Sequence, residues 1–278
     1  MPNRICCGLL ALLSYATLVF CWTESSRTHR HKLNSKHNQF RPLGMARNVT
    51  TTSTRDICEV KVLGICGGIG SGKSAACKTL VSELNCLAHI DSDSIAHTVY
   101  EPSSAALDDV VNEFGSDLLS ESGEIDRKKL GSIVFANISA MKKLEHIVWP
   151  HVKTKIMQKI EIAKSELVSN GSDKIPIIVV EAAVLLDAEW DDFLDGIWAV
   201  TVSQNVAIRR LQGNRNLSVE ESEKRIKAQS SRRGIGNLQQ EVENGIVSAV
   251  IPNDGTLEEL KACLIMKLTD PNAWYQVQ

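Results

Sequence analysis

The chain has 278 residues, 43% of them hydrophobic and 23% charged, the composition of a soluble globular protein with enough length for one large or two small domains. A formal charge of -2 at pH 7 leaves no excess of either sign for nucleic acid or an acidic membrane to recognise. Cysteines at 6, 7, 21, 58, 66, 77, 86 and 263 form no CxxC pair and no Cys/His set at zinc-ligand spacing, so neither a zinc knuckle nor a disulfide framework is expected.

Residues 5–22 are apolar and uncharged and follow a single basic residue, Arg4, as the core of a signal peptide does. A retained signal anchor is the rival reading, because about 18 apolar residues just span a bilayer. Residues 23–55 are rich in Ser, Thr, Asn, His, Arg and Lys, hold Glu24 as their one acid, and show no hydrophobic period. Such a stretch cannot bury a core. The chain therefore divides into a signal-like segment (1–22), a disordered transit-like leader (23–57) and a globular domain (58–278). The two-part leader is similar to those of proteins imported into complex plastids. Mitochondrial import and anchoring at the endoplasmic reticulum stay open, and a product begun at Met45 would lack the apolar segment and remain cytoplasmic. Membrane contact is expected only through the apolar segment, if it is retained.

From Glu59 onward, apolar runs alternate with amphipathic stretches, the pattern of a parallel α/β sheet covered by helices. Strands are predicted at 60–65, 87–90, 177–180, 196–202 and 247–251. Between the second and third, about 85 residues read as helices: one opened by Pro102, one capped by Asp126, and a long one over 142–168 interrupted at Pro150.

Residues 67–74, GGIGSGKS, fit GxxxxGK[ST] and stand between the first strand and a helix beginning near Lys73. In such a loop Gly67, Gly68, Ile69, Gly70, Ser71 and Gly72 turn successive backbone N–H groups toward a β-phosphate, and the helix start through Ala75 adds partial positive charge. Lys73 would reach the β- and γ-phosphates of ATP, and Ser74 would ligate Mg2+. Cys66 and Cys77 flank the loop and read as buried thiols. No [NT]KxD or DxxG segment points to a GTPase, and no LSGGQ-like segment to a transporter ATPase. The third strand ends in Glu181, placed to hold a magnesium-bound water. A solvent-facing strand-end Glu is the alternative.

At the end of the second strand, Asp91 and Asp93 stand two apart, so in an extended segment both point the same way, at the edge where open α/β sheets bind ligands. One would accept a hydroxyl proton while the other orients a helix or a metal-bound water. Helix capping by Asp91 or Ser92 is the competing reading. After the fourth strand, 208–215 reads as a turn with basic residues, followed by a helix that Ser218 opens and Glu221 completes as a capping box. Together, about 209–235, they read as a lid whose arginines close over ATP. For Arg225, a solvated helix face paired with Glu221 is an equal reading.

In order along the chain, GGIGSGKS (67–74), IDSD (90–93), EIDRKKLGSIVF (124–135), LSVEESEKRIKAQ (217–229) and VIPNDGTLEEL (250–260) resemble the dephospho-CoA kinases over about residues 61–268. AAVLLDAEW at 182–190, with Trp149 and Pro150, is more similar to the kinase half of animal bifunctional CoA synthase than to bacterial enzymes. The chain has no HxGH motif for the preceding nucleotidyl transfer. The resemblance implies a P-loop NTPase fold with a five-stranded parallel sheet, a helical substrate-binding insertion at about 95–170 and a helical lid. It implies phosphorylation of the ribose 3′-hydroxyl of dephospho-CoA by ATP with Mg2+, giving CoA and ADP, by a monomer. On this reading Asp93 is the base, Asp91 and Arg127 lie on the CoA side, and Asn253 falls in the adenine-side loop. Three departures stand out. Trp149 and Pro150 replace the common His-Pro on the substrate side, Ala75 follows Ser74 where Thr is common, and Asn214 occupies the place of the lid arginine, leaving Arg215 one residue later as the candidate. Another small-molecule P-loop kinase, for nucleosides or nucleoside monophosphates, and a membrane-anchored nucleotide-binding module are the rivals.

Overall fold

The structure is a computed structural model that describes residues 59–170 and 174–275. The two leader segments expected at 1–22 and 23–57 lie outside the described residues. Among the described residues, no helix is long and apolar enough to cross a membrane.

Five strands, β1 (Lys61–Gly67), β2 (Cys86–Asp91), β3 (Ile175–Glu181), β4 (Gly196–Thr201) and β5 (Ala249–Pro252), form one parallel sheet in the order β2-β3-β1-β4-β5. They read as apolar runs because both faces are covered. On one face Val62, Cys66, Ile178, Val180, Ile197 and Ala199 pack with helices that follow β2. On the other, Leu63, Ile65, Ile177, Val179, Trp198 and Val200 pack beneath α1 (Lys73–Ser82) and the helix after β5. Cys66 and Cys77 are buried free thiols, one on each face, and burial pushes the Cys66 thiol up to about 12.

Between β2 and β3 come α2 (Ser92–Thr98), α3 (Ala105–Phe114), α4 (Arg127–Ala136) and α5 (Ile138–Asn170). Pro102 does not open a helix. α3 starts at Ala105, where the Ser104 hydroxyl accepts from Leu107 N at 3.2 Å, and Pro102 lies in the preceding turn. Asp126 caps α4 as expected, accepting from Lys128 N and Lys129 N. Pro150 does not interrupt the long helix either: α5 runs 33 residues through it. A proline removes one N–H donor from the ladder. Here Leu144, Val148, Val152, Ile156 and Ile160, recurring every four residues, bury a stripe against the core, and that packing outweighs the missing bond.

After β4 come α6 (Gln204–Arg215), α7 (Val219–Ala228) and α8 (Leu238–Glu243), and α9 (Leu257–Thr269) follows β5. The basic segment at 208–215, expected as a turn, belongs to α6, which ends where Asn216 takes a left-handed conformation at φ 50°. The Ser218 and Glu221 capping box that opens α7 is present in full. The carboxyl ends of β1, β2 and β3 thus bring the glycine loop, Asp91 and Glu181 to one edge of the sheet.

Candidate active site

The loop from Gly67 to Gly72 joins β1 to α1. Gly70 (φ 75°) and Gly72 (φ 90°) adopt left-handed backbone that only glycine enters freely. A Cβ at Gly72 would also fall 2.2 Å from Asn253 Nδ2, which donates to Ser71 O at 2.7 Å. Three distant side chains hold the loop in shape. Asn253 clamps it from the end of β5, Arg210 on α6 donates to Gly70 O and Ser71 O at 3.3 Å each, and Gln229 accepts from Ile69 N at 2.6 Å. Lys73 Nζ donates to Gly67 O at 2.9 Å and Gly68 O at 3.3 Å, which keeps its charge at the mouth of the loop. Ala75 lies two residues further along α1, half-buried.

Glu181, 8% exposed at the end of β3, accepts from Ser74 Oγ at 2.7 Å and pairs with His89 Nε2 at 3.0 Å. Burial raises its carboxyl, but hydrogen bonds from His89 and Ser74 and the charge of Lys73 outweigh that, and the net value lies below the usual range. An ionised carboxylate beside a hydroxyl at the loop's helix start is a hard-oxygen pair that fits Mg2+.

Asp91 and Asp93 do not stand side by side on an extended segment. Asp91 ends β2 and caps α2, accepting from Asp93 N at 2.9 Å, Ser94 N at 3.3 Å and Ser94 Oγ at 2.6 Å. That satisfies the competing capping reading, since Asp side chains compete for exposed helix-start N–H groups. Asp93 sits in the first turn of α2, half-buried. Burial pushes its carboxyl up to about 6 against the pull of Lys73, with Asp91 and Glu181 raising it and Arg215 lowering it. Arg215 is exposed at the last position of α6, and its charge reaches Asp93 across the cleft.

One helical turn after Asp93 comes His97, to whose carbonyl oxygen Arg127 at the start of α4 donates at 2.9 Å; Arg127 also lies 3.3 Å from His97 Nδ1 and 5.6 Å above the Tyr100 ring. Trp149 on α5 is half-buried, and its Nε1 is shielded from solvent without a hydrogen-bond partner among the described residues. Pro150 is exposed on the same helix. Arg225 Nη1 on α7 is likewise shielded and unpartnered, and the Glu221 carboxylate is held by Ser218 N at 2.9 Å instead of pairing with Arg225.

Comparison with known proteins places this arrangement. The family profile described as dephospho-CoA kinase matches residues 61–258. The dephospho-CoA kinase of Geobacter sulfurreducens is 36% identical over 202 residues, covering 73% of this chain and 94% of its own length. That of Carboxydothermus hydrogenoformans is 36% identical over 200 residues, covering 72% and 89%. The chain belongs to the dephospho-CoA kinase family. A crystal structure of a Thermus thermophilus protein superposes with a TM-score of 0.56 at 26% identity, covering 75% of this chain and 96% of that one. The Campylobacter jejuni dephospho-CoA kinase shares the fold at a TM-score of 0.50 and 21% identity, covering 74% and 94%.

Within this dephospho-CoA kinase fold, sequence reasoning did not single out Arg210, Gln229 or His89 as site residues. Gln229 stood at the end of a quoted motif and Arg210 in a basic run, but nothing local connects either to a loop 160 and 140 residues away. Arg232 was missed as well. It pairs with Glu145 on α5 at 3.2 Å and with Asp187 after β3 at 3.4 Å, tying the chain that follows α7 to the helices beyond β2.

Proposed function

We propose that this chain transfers the γ-phosphoryl group of ATP to the ribose 3′-hydroxyl of dephospho-CoA, giving CoA and ADP. The observation that carries the reading is Asp93, a half-buried carboxyl raised to about 6 between Lys73 and Arg215 at the edge of the phosphate loop. A carboxylate with that pKa is ionised at neutral pH yet basic enough to take a hydroxyl proton as the phosphoryl arrives. Lys73 and the loop N–H groups hold the phosphates, and Arg215 sits across the cleft where charge on the transferred group would build. Ser74 and Glu181 would hold Mg2+, which supplies charge neutralisation at the β- and γ-oxygens.

The helices between β2 and β3 serve as the acceptor side, with Arg127 bonded to His97 one helical turn after Asp93 and the Trp149 N–H free to donate. Asn253 fixes the loop on the nucleotide side. Incubating the full chain with Mg-ATP and dephospho-CoA tests the reading. Mass spectrometry and NMR should find one added phosphate on the ribose 3′-oxygen. ATP turnover without that product, or preferential phosphorylation of adenylate or a nucleoside, would defeat it.

Residues 1–57 act, on this proposal, as a removable organellar leader, supported by their composition alone. A fluorescent protein fused behind residues 1–57 should enter a plastid or mitochondrion, and a diffuse cytoplasmic signal would count against it.

A further inference from the structure

Behind the Ser74 and Glu181 pair lie two further donors, Cys77 and His89, that phosphoryl transfer does not use and that share Glu181 with it. Ser74 and Cys77 are three residues apart on α1 and share a face. In the sheet, His89 pairs with Val179, so Glu181, two residues further, projects on the same side as His89, toward α1. Cys77 Sγ, a ring nitrogen of His89 and a Glu181 oxygen consequently lie within 4.8 Å of one another. Cys77 is fully buried, whereas the His89 side chain is 28% exposed, which gives an ion a route in from solvent.

We propose that Cys77, His89 and Glu181 form a binding site for a borderline-soft divalent cation, zinc in particular, that competes with magnesium for Glu181. One sulfur, one imidazole and one carboxylate make a tetrahedral zinc set with a position left open, which the Ser74 hydroxyl or a water can fill. Hard cations such as magnesium avoid thiolate, so the sulfur selects against them. Zinc bond lengths of about 2.0–2.3 Å set donors roughly 3.5 Å apart; His89 Nε2 and Glu181 Oε2 already stand at 3.0 Å and no pair exceeds 4.8 Å, so the adjustment is at most about 1 Å. A side-chain rotation at the more exposed His89 supplies part of that. The zinc ion takes the place of the thiol proton of Cys77, which leaves to solvent, so one proton is released per ion bound. The ion would occupy the Glu181 carboxylate from behind. Its expected effect on the proposed kinase is inhibition relieved by excess magnesium.

The test reads the metal directly, so it does not depend on the proposed reaction. Cobalt(II) alone, as a spectroscopic stand-in for zinc, is titrated into the full-length chain. The expected result is a thiolate-to-cobalt charge-transfer band with tetrahedral visible bands, part of it lost in Cys77→Ser in an amount equal to one ion per chain. The difference matters because seven further cysteines are present in the sequence. His89→Leu, at a partly exposed position, should weaken the same binding at least ~10-fold while leaving the circular dichroism unchanged. Should Cys77→Ser fail to fold, the His89→Leu titration decides alone. A spectrum without any thiolate band, one identical in intact chain and Cys77→Ser, or binding indifferent to His89→Leu overturns the site. If the chain phosphorylates dephospho-CoA, zinc should inhibit it, and Cys77→Ser should need at least ~10-fold more zinc for the same inhibition.

Discussion

The two sides of the cleft meet at Asp93 and are built by opposite means. On the nucleotide side, Arg210, Gln229 and Asn253 reach back 140, 160 and 182 residues to bond the phosphate loop, so its backbone is fixed by tertiary contacts. On the side of the helices after β2, α5 carries a shielded donor, Trp149 Nε1, with no partner among the described residues, and Arg225 Nη1 on α7, the helix that Gln229 ends at the phosphate loop, is shielded and unpartnered in the same way. Buried donors left unpaired cost free energy and are rare. The loop's backbone is fixed before any ligand binds, while Trp149 Nε1 keeps a hydrogen bond to give, which the proposed acceptor would take.

Asp93→Asn should break the chemistry and spare the nucleotide side. Turnover is expected to fall ~10²–10⁴-fold, the range of a lost general base, with ATP affinity changed only a few-fold by calorimetry. In the parent, turnover should fall as pH drops through about 6, where Asp93 takes up its proton, and the variant's residual rate should lack that limb. Arg215→Ala tests the lid's reach. A loss of ~10³-fold in turnover in single-turnover assays is the expectation if its charge meets the transferred phosphoryl, and an unchanged rate would return the role to another lid arginine. Asn253→Ala removes a buried amide that clamps Ser71 O. A loss of about 1–3 kcal/mol by denaturant titration should accompany roughly tenfold weaker ATP binding and an unaltered acceptor KM.

Stability should move the other way at Asp93. Its folded pKa of about 6 lies above the ordinary value of 3.8, so the folded chain binds more protons than the unfolded one between those limits. The carboxyl therefore lowers stability as pH rises from about 4 to 6, and the deficit persists above. Asp93→Asn is expected to gain roughly 1–2 kcal/mol at pH 8 after solvent screening, and little at pH 4, by thermal melting. The smallest effect belongs to Trp149→Phe, which removes only the indole N–H. A few-fold rise in the KM for dephospho-CoA with the KM for ATP unchanged would sharpen the division between the two walls.

What could be read in the sequence follows the reach of each interaction. The five strands and GGIGSGKS are contiguous, so periodicity and spacing exposed them. Pro150 misled because a local rule, the missing N–H, was overridden by the buried stripe from Leu144 to Ile160 that only the folded sheet provides. Asp91 and Asp93 were placed at the correct strand end, but whether Asp91 faces a ligand or caps a helix depends on where α2 begins. Ser92 is already its first residue, and that decided for the cap. Two of the three clamps on the loop, Arg210 and Gln229, left no mark in the sequence, because a glutamine or arginine that bonds a remote backbone atom looks like any other polar residue on a helix.

Gly72 belongs to the loop's signature for a reason apart from phosphate. Its missing Cβ leaves the space into which Asn253 inserts, with φ at 90° besides. A methyl group there would collide with the amide before any nucleotide arrived, and the segment after β5 would be pushed off the loop. The residue therefore serves as a seat for the chain's C-terminal part as well as a hinge for the anion. A defect at Gly72 would show itself first in assembly and only afterwards in catalysis.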